Sequence, residues 1–512
     1  GFGLQFIDAL GAGDLVWGDS DATLIVDQPG DYFGQLGNDE ISGGDGSDGL
    51  IGDAHMFRLQ GYAGDPNILL TLGSDEIYGD GDTDQIYGDA MRIDAGGDTN
   101  THHITGGNDT LNAGAGHDTV YGDASVFAGW ANIISGGDDT IYGVIGANTL
   151  IGDAGTIWIR GKWAWFGGGN DDIHGGADGD TIVGDALEVE SDAAGRIGLA
   201  ADDIWGGGGD DKIIGDVVEA IELVDGTIVS YGDDEIEGQY GADEIIGDAE
   251  IAHAAWHYGP IQRAGDDTID GGDSRDKIVG DFETFEFEGA IDLSLVDASV
   301  TNLGDDTLGG GAGNDVLIGD VQYFNFKNGW TRDHVLTPDD SLELGSDTIS
   351  GGMGEDELVG DLFELVFDDG GLIRLGNDTL EGGYEDDVLI GDIKSVVGRA
   401  GVDLDPGLYL DRLSGGNDTL DGGFGNDTMI GDFGDDTFIK YQGDGDDVIE
   451  DFVAGGSDDQ IDISNFGFAG MPDVLAVATD LGLGVVLDFG VNSSVLLEGV
   501  TSAELTGSDF IF

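Results

Sequence analysis

The sequence predicts an all-β fold wound as a parallel β-solenoid, and three observations predict it. First, a 17-residue frame, approximately G-x-D-x-[I/L]-x-G-G-x-G-x-D-x-[I/L/V]-x-G-D, returns twelve times without gaining or losing a residue. The copies begin at Gly37, Gly73, Gly107, Gly137, Gly169, Ala200, Gly232, Gly265, Gly304, Gly345, Gly376 and Gly416. Each ends in Gly-Asp, from Gly52-Asp53 to Gly431-Asp432. Second, the segments between copies run from 13 to 24 residues and vary freely. A fixed frame beside loose spacers is the mark of stacked coils, because only the stacked part must keep register. Third, one large aliphatic residue recurs in each half of the frame, in phase with glycine and aspartate.

The frame explains itself residue by residue. In the copy from Gly37 to Asp53, Gly43-Gly44-Asp45-Gly46-Ser47-Asp48 holds three glycines, which allow backbone angles that a side chain forbids. Gly49-Leu50-Ile51 then reads as a very short strand with one inward aliphatic residue. The half-frame Gly37-Asn38-Asp39-Glu40-Ile41-Ser42 sets Asp39 and Ile41 nine positions before Asp48 and Leu50. If each nine-residue unit makes half a coil, the aliphatic residues fill a narrow core and the aspartates line the turns at two edges. Stacking at about 4.8 Å aligns carboxylates along each edge. Two bare carboxylates at that spacing repel by roughly 3 kcal/mol at an effective dielectric near 20. Over a dozen layers this exceeds the whole stability of a typical domain, about 5–15 kcal/mol. A divalent cation must neutralise them. Oxygen ligands without cysteine and almost without histidine select calcium over zinc or copper.

The frame resembles the glycine- and aspartate-rich nonapeptide of the RTX (repeats-in-toxin) family, and the resemblance covers nearly the whole chain. It implies a calcium-stabilised parallel β-roll. Its calcium carboxylates correspond in the first half-frame to Asp39, Asp75, Asp109, Asp139, Asp171, Asp202, Asp234, Asp267, Asp306, Asp347, Asp378 and Asp418. In the second half-frame they correspond to Asp48, Asp84, Asp118, Asp180, Asp211, Asp243, Asp276, Asp315, Asp356, Asp387 and Asp427, with Asp436 following in the C-terminal region. The fourth copy departs from the pattern: Asn148 takes the aspartate position and Val144-Ile145 replaces Gly-x, which implies a weak or empty site.

The spacers alternate polar and apolar residues around D-G turns, as in Phe363–Phe367 followed by Leu372–Leu375, and Val217–Leu223 followed by Thr227–Tyr231. We expect them to be inserted strands that widen each coil, or projecting hairpins. They hold Trp130, Trp158, Trp163, Trp165, Trp256 and Trp330, expected to pack a second core and, in the functional alternative, to present an aromatic surface to sugars or to another subunit.

Three regions follow: 1–36, an N-terminal cap or assembly segment with a degenerate half-frame ending at Trp17-Gly18-Asp19; 37–432, the twelve-frame roll; and 433–512, a C-terminal β cap. The last region, with Gly434-Asp435-Asp436-Thr437-Phe438, alternating strands and the terminal Ser508-Asp509-Phe510-Ile511-Phe512, is similar to the C-terminal region of serralysin-type RTX proteins. That resemblance implies a cap and a type I secretion signal, although Gly1-Phe2-Gly3-Leu4 shows no secretory leader.

Composition sets the limits on partners. With 106 Asp and Glu against 16 Lys and Arg, the net charge is -90, which excludes nucleic acid as a partner. Cysteine is absent, so thiol catalysis and cysteine-based zinc sites are excluded. No apolar run is long enough to span a membrane; Val474 to Phe489 is cut by Asp480 and Asp488. H-E-x-x-H, G-x-S-x-G and the P-loop are missing, so the serralysin protease half is not here and no enzyme is expected. His253 and His257 could pair on one strand face, but no third zinc ligand is evident. Asp210-Asp211 and Asp266-Asp267 invite a glycosidase reading, yet they recur at one frame position, which favours calcium. The expected function is a secreted, calcium-dependent structural protein that assembles with itself into an extracellular filament, sheath or surface layer. The alternatives are an adhesin or module that binds cell-surface polysaccharide and, behind it, a carbohydrate-active enzyme on the roll face.

Overall fold

Each frame folds as two short strands joined by a glycine turn, and each spacer adds further strands before the next frame begins. The computed structural model describes residues 6–8, 15–18, 24–26, 32–60, 68–96, 103–129, 133–161, 164–220, 223, 227–255, 261–288, 303–327, 341–367, 372–398, 413–456 and 458–512. The chain divides into two compact units, residues 1–268 with 285–291 and residues 269–284 with 292–512.

In the first unit the strands fall into four parallel rows. The first half-frame supplies the first row: Ile41 pairs with Ile77, Leu111 with Ile141 and Ile173 with Ile204. The second half-frame supplies the second row, where Leu50 pairs with Ile86 and Ile182 with Ile213. The spacers supply the third row (Phe57–Gln60, Ile93–Gly96, Ala124–Gly129, Ala154–Ile159, Ala186–Ser191) and the fourth (Ile68–Thr71, His103–Thr105, Ile133–Ser135, Trp165–Gly167, Arg196–Gly198). One coil is therefore one frame plus one spacer, a repeat of 30 residues between Asp109 and Asp139 and 41 between Asp315 and Asp356. The sequence reading took nine residues as half a coil; here they supply one strand of four. Asp39 stacks on Asp75 of the next coil, 36 residues on, with Asp48 on a separate row.

Where they are described, the spacers are inserted strands and not hairpins. Leu365 pairs in parallel with Val396, and Ile373 pairs in parallel with Leu413. Alternation and a D-G turn specify strand and turn without specifying the partner. The strand edges of the neighbouring coil, in register above and below, win over the antiparallel alternative.

Alternation fills both halves of the coil. Inward residues of the frame strands (Ile41, Leu50, Ile77, Ile86) and of the spacer strands (Phe57, Ile93, Phe127, Ile157, Phe166) are buried. Phe127 and Phe166 meet at 5.5 Å between ring centroids, tilted by 50°. The two described spacer tryptophans do not join this core. Trp158 alternates outward, with the Arg160 guanidinium 3.5 Å above its ring, and Trp165 is 40% exposed. Trp130, Trp163, Trp256, Trp330 and the ring of His257 lie outside the described residues, as does the His253 side chain.

Residues of 1–36 also pair as a coil: Ile7 with Ile41, Val16 with Leu50, Ile25 with Arg58 and Phe33 with Leu69, one pair in each row. In the second unit the first row ends in Phe510–Ile511, paired in parallel with Ile461–Asp462. An antiparallel hairpin, Gly484–Gly490 with Ser493–Glu498, closes the second row, flanked by the helix Met471–Val477. No described helix is long and apolar enough to cross a membrane.

Candidate metal centre

The turn between first- and second-row strands needs a left-handed residue, which glycine adopts without steric cost. Gly176, Gly207, Gly352 and Gly383 take φ of 128°, 103°, 101° and 113° there. In the fourth copy Val144 stands at this point with φ 73°, a strained conformation for a β-branched residue.

Beside these turns the aspartates form ladders. Each carboxylate of the second half-frame accepts the backbone N–H of its counterpart one coil earlier. Asp48 donates to Asp84 Oδ1 at 2.7 Å, Asp84 to Asp118 at 2.7 Å and Asp180 to Asp211 at 2.7 Å. In the second unit Asp276 donates to Asp315 at 2.7 Å and Asp315 to Asp356 at 2.8 Å. The first half-frame repeats the device from Asp75 to Asp109 (2.6 Å), Asp139 to Asp171 (2.7 Å) and Asp347 to Asp378 (2.8 Å). One oxygen of each carboxylate is thus engaged. The other, Oδ2 of Asp84, Asp109, Asp139, Asp211, Asp315 and Asp356 among others, is buried and accepts no hydrogen bond. A buried carboxylate oxygen in that condition is costly and marks a place suited to a positive charge.

Carbonyl oxygens lie beside these orphans. A Cβ built on Gly175 would stand 2.3 Å from the Gly206 carbonyl oxygen and 2.8 Å from Asp180 Oδ2; on Gly310 it would stand 2.7 Å from both Gly351 O and Asp315 Oδ2. Among the described residues no three carboxylates or imidazoles converge on one point. A cation here would therefore combine paired carboxylates with main-chain carbonyls, a donor mixture suited to a hard ion such as calcium. The residues fit the ion.

The electrostatics agree. Burial first, and the charges of Asp118 and Asp48 after it, push Asp84 up to about 7. Asp211 and Asp315 are likewise pushed up to about 7 and Asp387 to about 8. Along the first half-frame Asp109, Asp139, Asp171 and Asp202 rise well above the usual carboxylate range.

Two internal comparisons show what the ladder asks for. At the fourth copy, Asn148 keeps the ladder bond, its Oδ1 accepting from Asp118 N–H at 3.0 Å, but turns Nδ2 to the Gly146 carbonyl at 2.9 Å. A donor replaces the orphan acceptor, so this copy has lost the feature that would bind a cation. At the C-terminal end, Asp447 takes over the second-half ladder by accepting from Asp427 N–H at 3.2 Å. There Lys440, 1% exposed, brings its ammonium within 2.5 Å of Asp447 Oδ2, 2.6 Å of Asp444 Oδ1 and 2.9 Å of the Gly445 carbonyl oxygen. A tethered cation stands here at the ladder position where the coils offer oxygens to an ion.

We expect Asp315→Ala to raise the calcium midpoint for folding severalfold, since it strands the Asp276 N–H at a cost of about 1–3 kcal/mol and removes an orphan oxygen. Asn148→Ala strands the Asp118 N–H at a similar cost of about 1–3 kcal/mol but removes no carboxylate oxygen, so it should move that midpoint less. Calcium titrations followed by circular dichroism decide this; equal shifts would contradict the ladder assignment.

The sequence-predicted aspartates that are described all stand on one of the two ladders, and Asp436 continues the first, accepting from Asp418 N–H at 3.0 Å. The sequence reading missed Asp444, Asp447 and Asp459 of the cap. It also missed a third row, the aspartates that close each frame. Asp123, Asp153, Asp185, Asp216, Asp320 and Asp361 are fully buried. Each accepts the N–H that opens the next frame, as in Gly345 N–H to Asp320 Oδ1 at 2.9 Å and Gly376 N–H to Asp361 Oδ1 at 2.8 Å. The unvarying Gly-Asp end of the frame was the signal.

A family model described as the RTX calcium-binding nonapeptide repeat matches residues 32–54, 59–90, 103–125, 133–156, 198–217, 229–250, 263–283, 299–322, 343–363, 374–393 and 413–438, together half of the chain. The fifth copy, Gly169 to Asp185, lies outside these segments. Comparison with curated proteins found no match. With carboxylate ladders at the glycine turns of parallel coils, the chain belongs to the RTX family of calcium-binding repeat proteins.

Proposed function

We propose that this chain is a secreted structural protein that folds on meeting calcium outside the cell and assembles with itself into a filament, sheath or surface layer. The observation that carries the reading is a row of exposed apolar side chains at one register of consecutive coils. Met353 pairs across to Tyr384 and Tyr384 to Phe424, and the three are 55%, 54% and 55% exposed. The Tyr384 and Phe424 rings stack at 5.4 Å. On a chain of charge -90, an ordered apolar row of this kind suits contact with a second copy. The four strands within residues 1–36 offer a further edge for strand addition. Export through a type I route is supported by the likeness of residues 433–512 to the serralysin-type C-terminal region. The role is mechanical and not catalytic.

A second reading, binding of cell-surface polysaccharide, draws on the outward Trp165 and the outward stack of Tyr142, His174 and Trp205, with ring centroids 5.0 and 4.6 Å apart. The stacked rings offer mainly their edges, which weakens it as a sugar platform.

Light scattering in millimolar calcium tests assembly. The intact protein should polymerise, and Tyr384→Ser with Phe424→Ser should reduce the polymer while leaving the β signature intact. Deleting residues 1–36 should leave folded monomers. A single monodisperse monomer at every concentration would defeat the assembly reading and put the polysaccharide reading ahead.

A further inference from the structure

The third carboxylate row lies at the point where the spacer leaves the frame and returns to it. Asp123, Asp153 and Asp185 close their frames, and the N–H groups that open the following frames, Gly137, Gly169 and Ala200, donate back to them at 2.9 to 3.2 Å. Each spacer is thereby pinched into a closed loop, and the pinch is dry: the three closing aspartates and Asp216 are 0% exposed.

The first-half aspartates share this enclosure. Asp109, Asp139, Asp171 and Asp202 are 2%, 1%, 2% and 1% exposed, and Asp123 bears electrostatically on both Asp109 and Asp139. Along the closing row, Asp123, Asp153, Asp185 and Asp216 approach one another within hydrogen-bonding reach. As carboxylates they have no proton to give each other. Oδ1 of Asp123 and of Asp185 and Oδ2 of Asp109, Asp139, Asp171 and Asp202 accept no hydrogen bond.

Main-chain oxygens point to the same places. A Cβ on Gly122 would stand 1.7 Å from Gly152 O and 2.1 Å from Asp139 Oδ2; on Gly152, 1.8 Å from Gly184 O and 2.0 Å from Asp171 Oδ2. On Gly168 it would stand 1.8 Å from Asp185 Oδ1 and 3.0 Å from Asp153 Oδ2. Carbonyls of the closing glycines and carboxylates of both rows therefore border one line of enclosed positions. Carboxylate and carbonyl oxygens together are the donors a hard divalent ion takes.

We propose that the frame-closing aspartates, with the first-half aspartates and the closing-glycine carbonyls, form an enclosed row of divalent-cation sites inside the coil. This row is distinct from the turn row of Asp84, Asp180 and Asp211, whose carboxylates are also buried but border exposed turn residues such as Thr83, Asp178 and Asp210. The proposal rests on the reading of the repeats as calcium sites. Ions in the enclosed row are held without water ligands and exchange slowly, so they survive a fall in calcium that empties the turn row.

Asp153→Asn with Asp185→Asn tests it, because asparagine keeps an acceptor for the Gly169 and Ala200 N–H groups while removing the charge. Asp211→Asn is the comparison on the turn row. Calcium stoichiometry by equilibrium dialysis is measured with terbium luminescence lifetimes in H2O and D2O, which count water on the bound ion. The intact protein should show two terbium populations, one free of water. The double variant should bind at least one calcium fewer and lose water-free terbium, whereas Asp211→Asn should lose the water-bearing kind. An unchanged count and unchanged lifetimes in the double variant alone would reduce the closing row to hydrogen-bonding caps and overturn the proposal. No change in either variant would overturn the calcium reading with it. Should the double variant fail to fold, the intact protein still decides: if every bound terbium carries water, there is no enclosed row.

Discussion

Stripped of calcium at pH 8, the protein should lose its β-sheet circular dichroism and expand, and millimolar calcium should restore both. The stacked carboxylates Asp84, Asp211, Asp315 and Asp387 are each buried against the carboxylates of neighbouring coils. Ordering glycine-rich turns costs about 1–2 kcal/mol per residue in backbone entropy, and without a counterion the ladders oppose that ordering. The affinity should fall in the range of extracellular modules, about 10⁻⁴–10⁻³ M. Protons should substitute for the ion. In the ion-free fold, burial and like charge raise Asp84, Asp211 and Asp315 to about 7 and Asp387 to about 8, against about 3.9 in the unfolded chain. A raised folded-state pKa means the fold holds the proton more tightly. Its stability is then fully present below about pH 4 and lost as pH rises through 7 to 8. Calcium-free protein should therefore regain β structure between pH 8 and pH 5, measured at low concentration because the pI is near 4.1. A spectrum indifferent to chelation at pH 8 would sink the coupling of calcium to folding. One indifferent to acid would sink the proton exchange.

Calcium-coupled folding would suit the proposed export. A chain of net charge -90 with glycine at its turns should stay open where calcium is scarce and wind up where it is plentiful. The same property that keeps the free chain extended, carboxylates in register, gives the wound chain its ion sites.

What the sequence reveals here is what is local. Asp39 with Ile41, and Asp48 with Leu50, lie two residues apart, so turn ligand and core residue are both visible within a half-frame. The partner of each strand is not local. Phe363–Phe367 and Leu372–Leu375 look like the arms of a hairpin because the turn between them is near, while the strands they join, such as Val396–Gly398 and Leu413–Ser414, lie beyond spacers of irregular length. The same distance hides the closing row. Asp320 is visible at the end of its frame, but its partner Gly345 stands 25 residues away across the longest spacer. A residue type held without exception at the end of every frame carries a role that its own neighbours do not disclose. Trp158 and Trp165 teach a different lesson: aromatic content predicts a core, but the strand's alternation decides which face each ring takes, and Ile157 and Phe166 hold the inward positions.

Lys440→Met should be the most damaging single substitution in the C-terminal region, costing about 3–5 kcal/mol, the usual result of removing one partner from a buried ion pair. The ammonium is 1% exposed and is held by Asp444, Asp447 and the Gly445 carbonyl, and without it two buried carboxylates face each other. Burial already pushes Asp447 up to about 6 although Lys440 pulls it the other way. A packing defect and a lost cation separate by their response to calcium. Methionine matches the length of the lysine stem, so a packing defect would be small and indifferent to the ion. A lost cation should be recovered in part as calcium rises and occupies the oxygens that the ammonium left. Adding Asp447→Asn to Lys440→Met should also recover stability, by removing one of the two stranded charges. Thermal unfolding of the three variants across a calcium series gives the answer. If the loss in Lys440→Met stays constant from micromolar to tens of millimolar calcium, the lysine is not standing where an ion stands in the coils, and the likeness between the cap and the ladder is one of geometry alone.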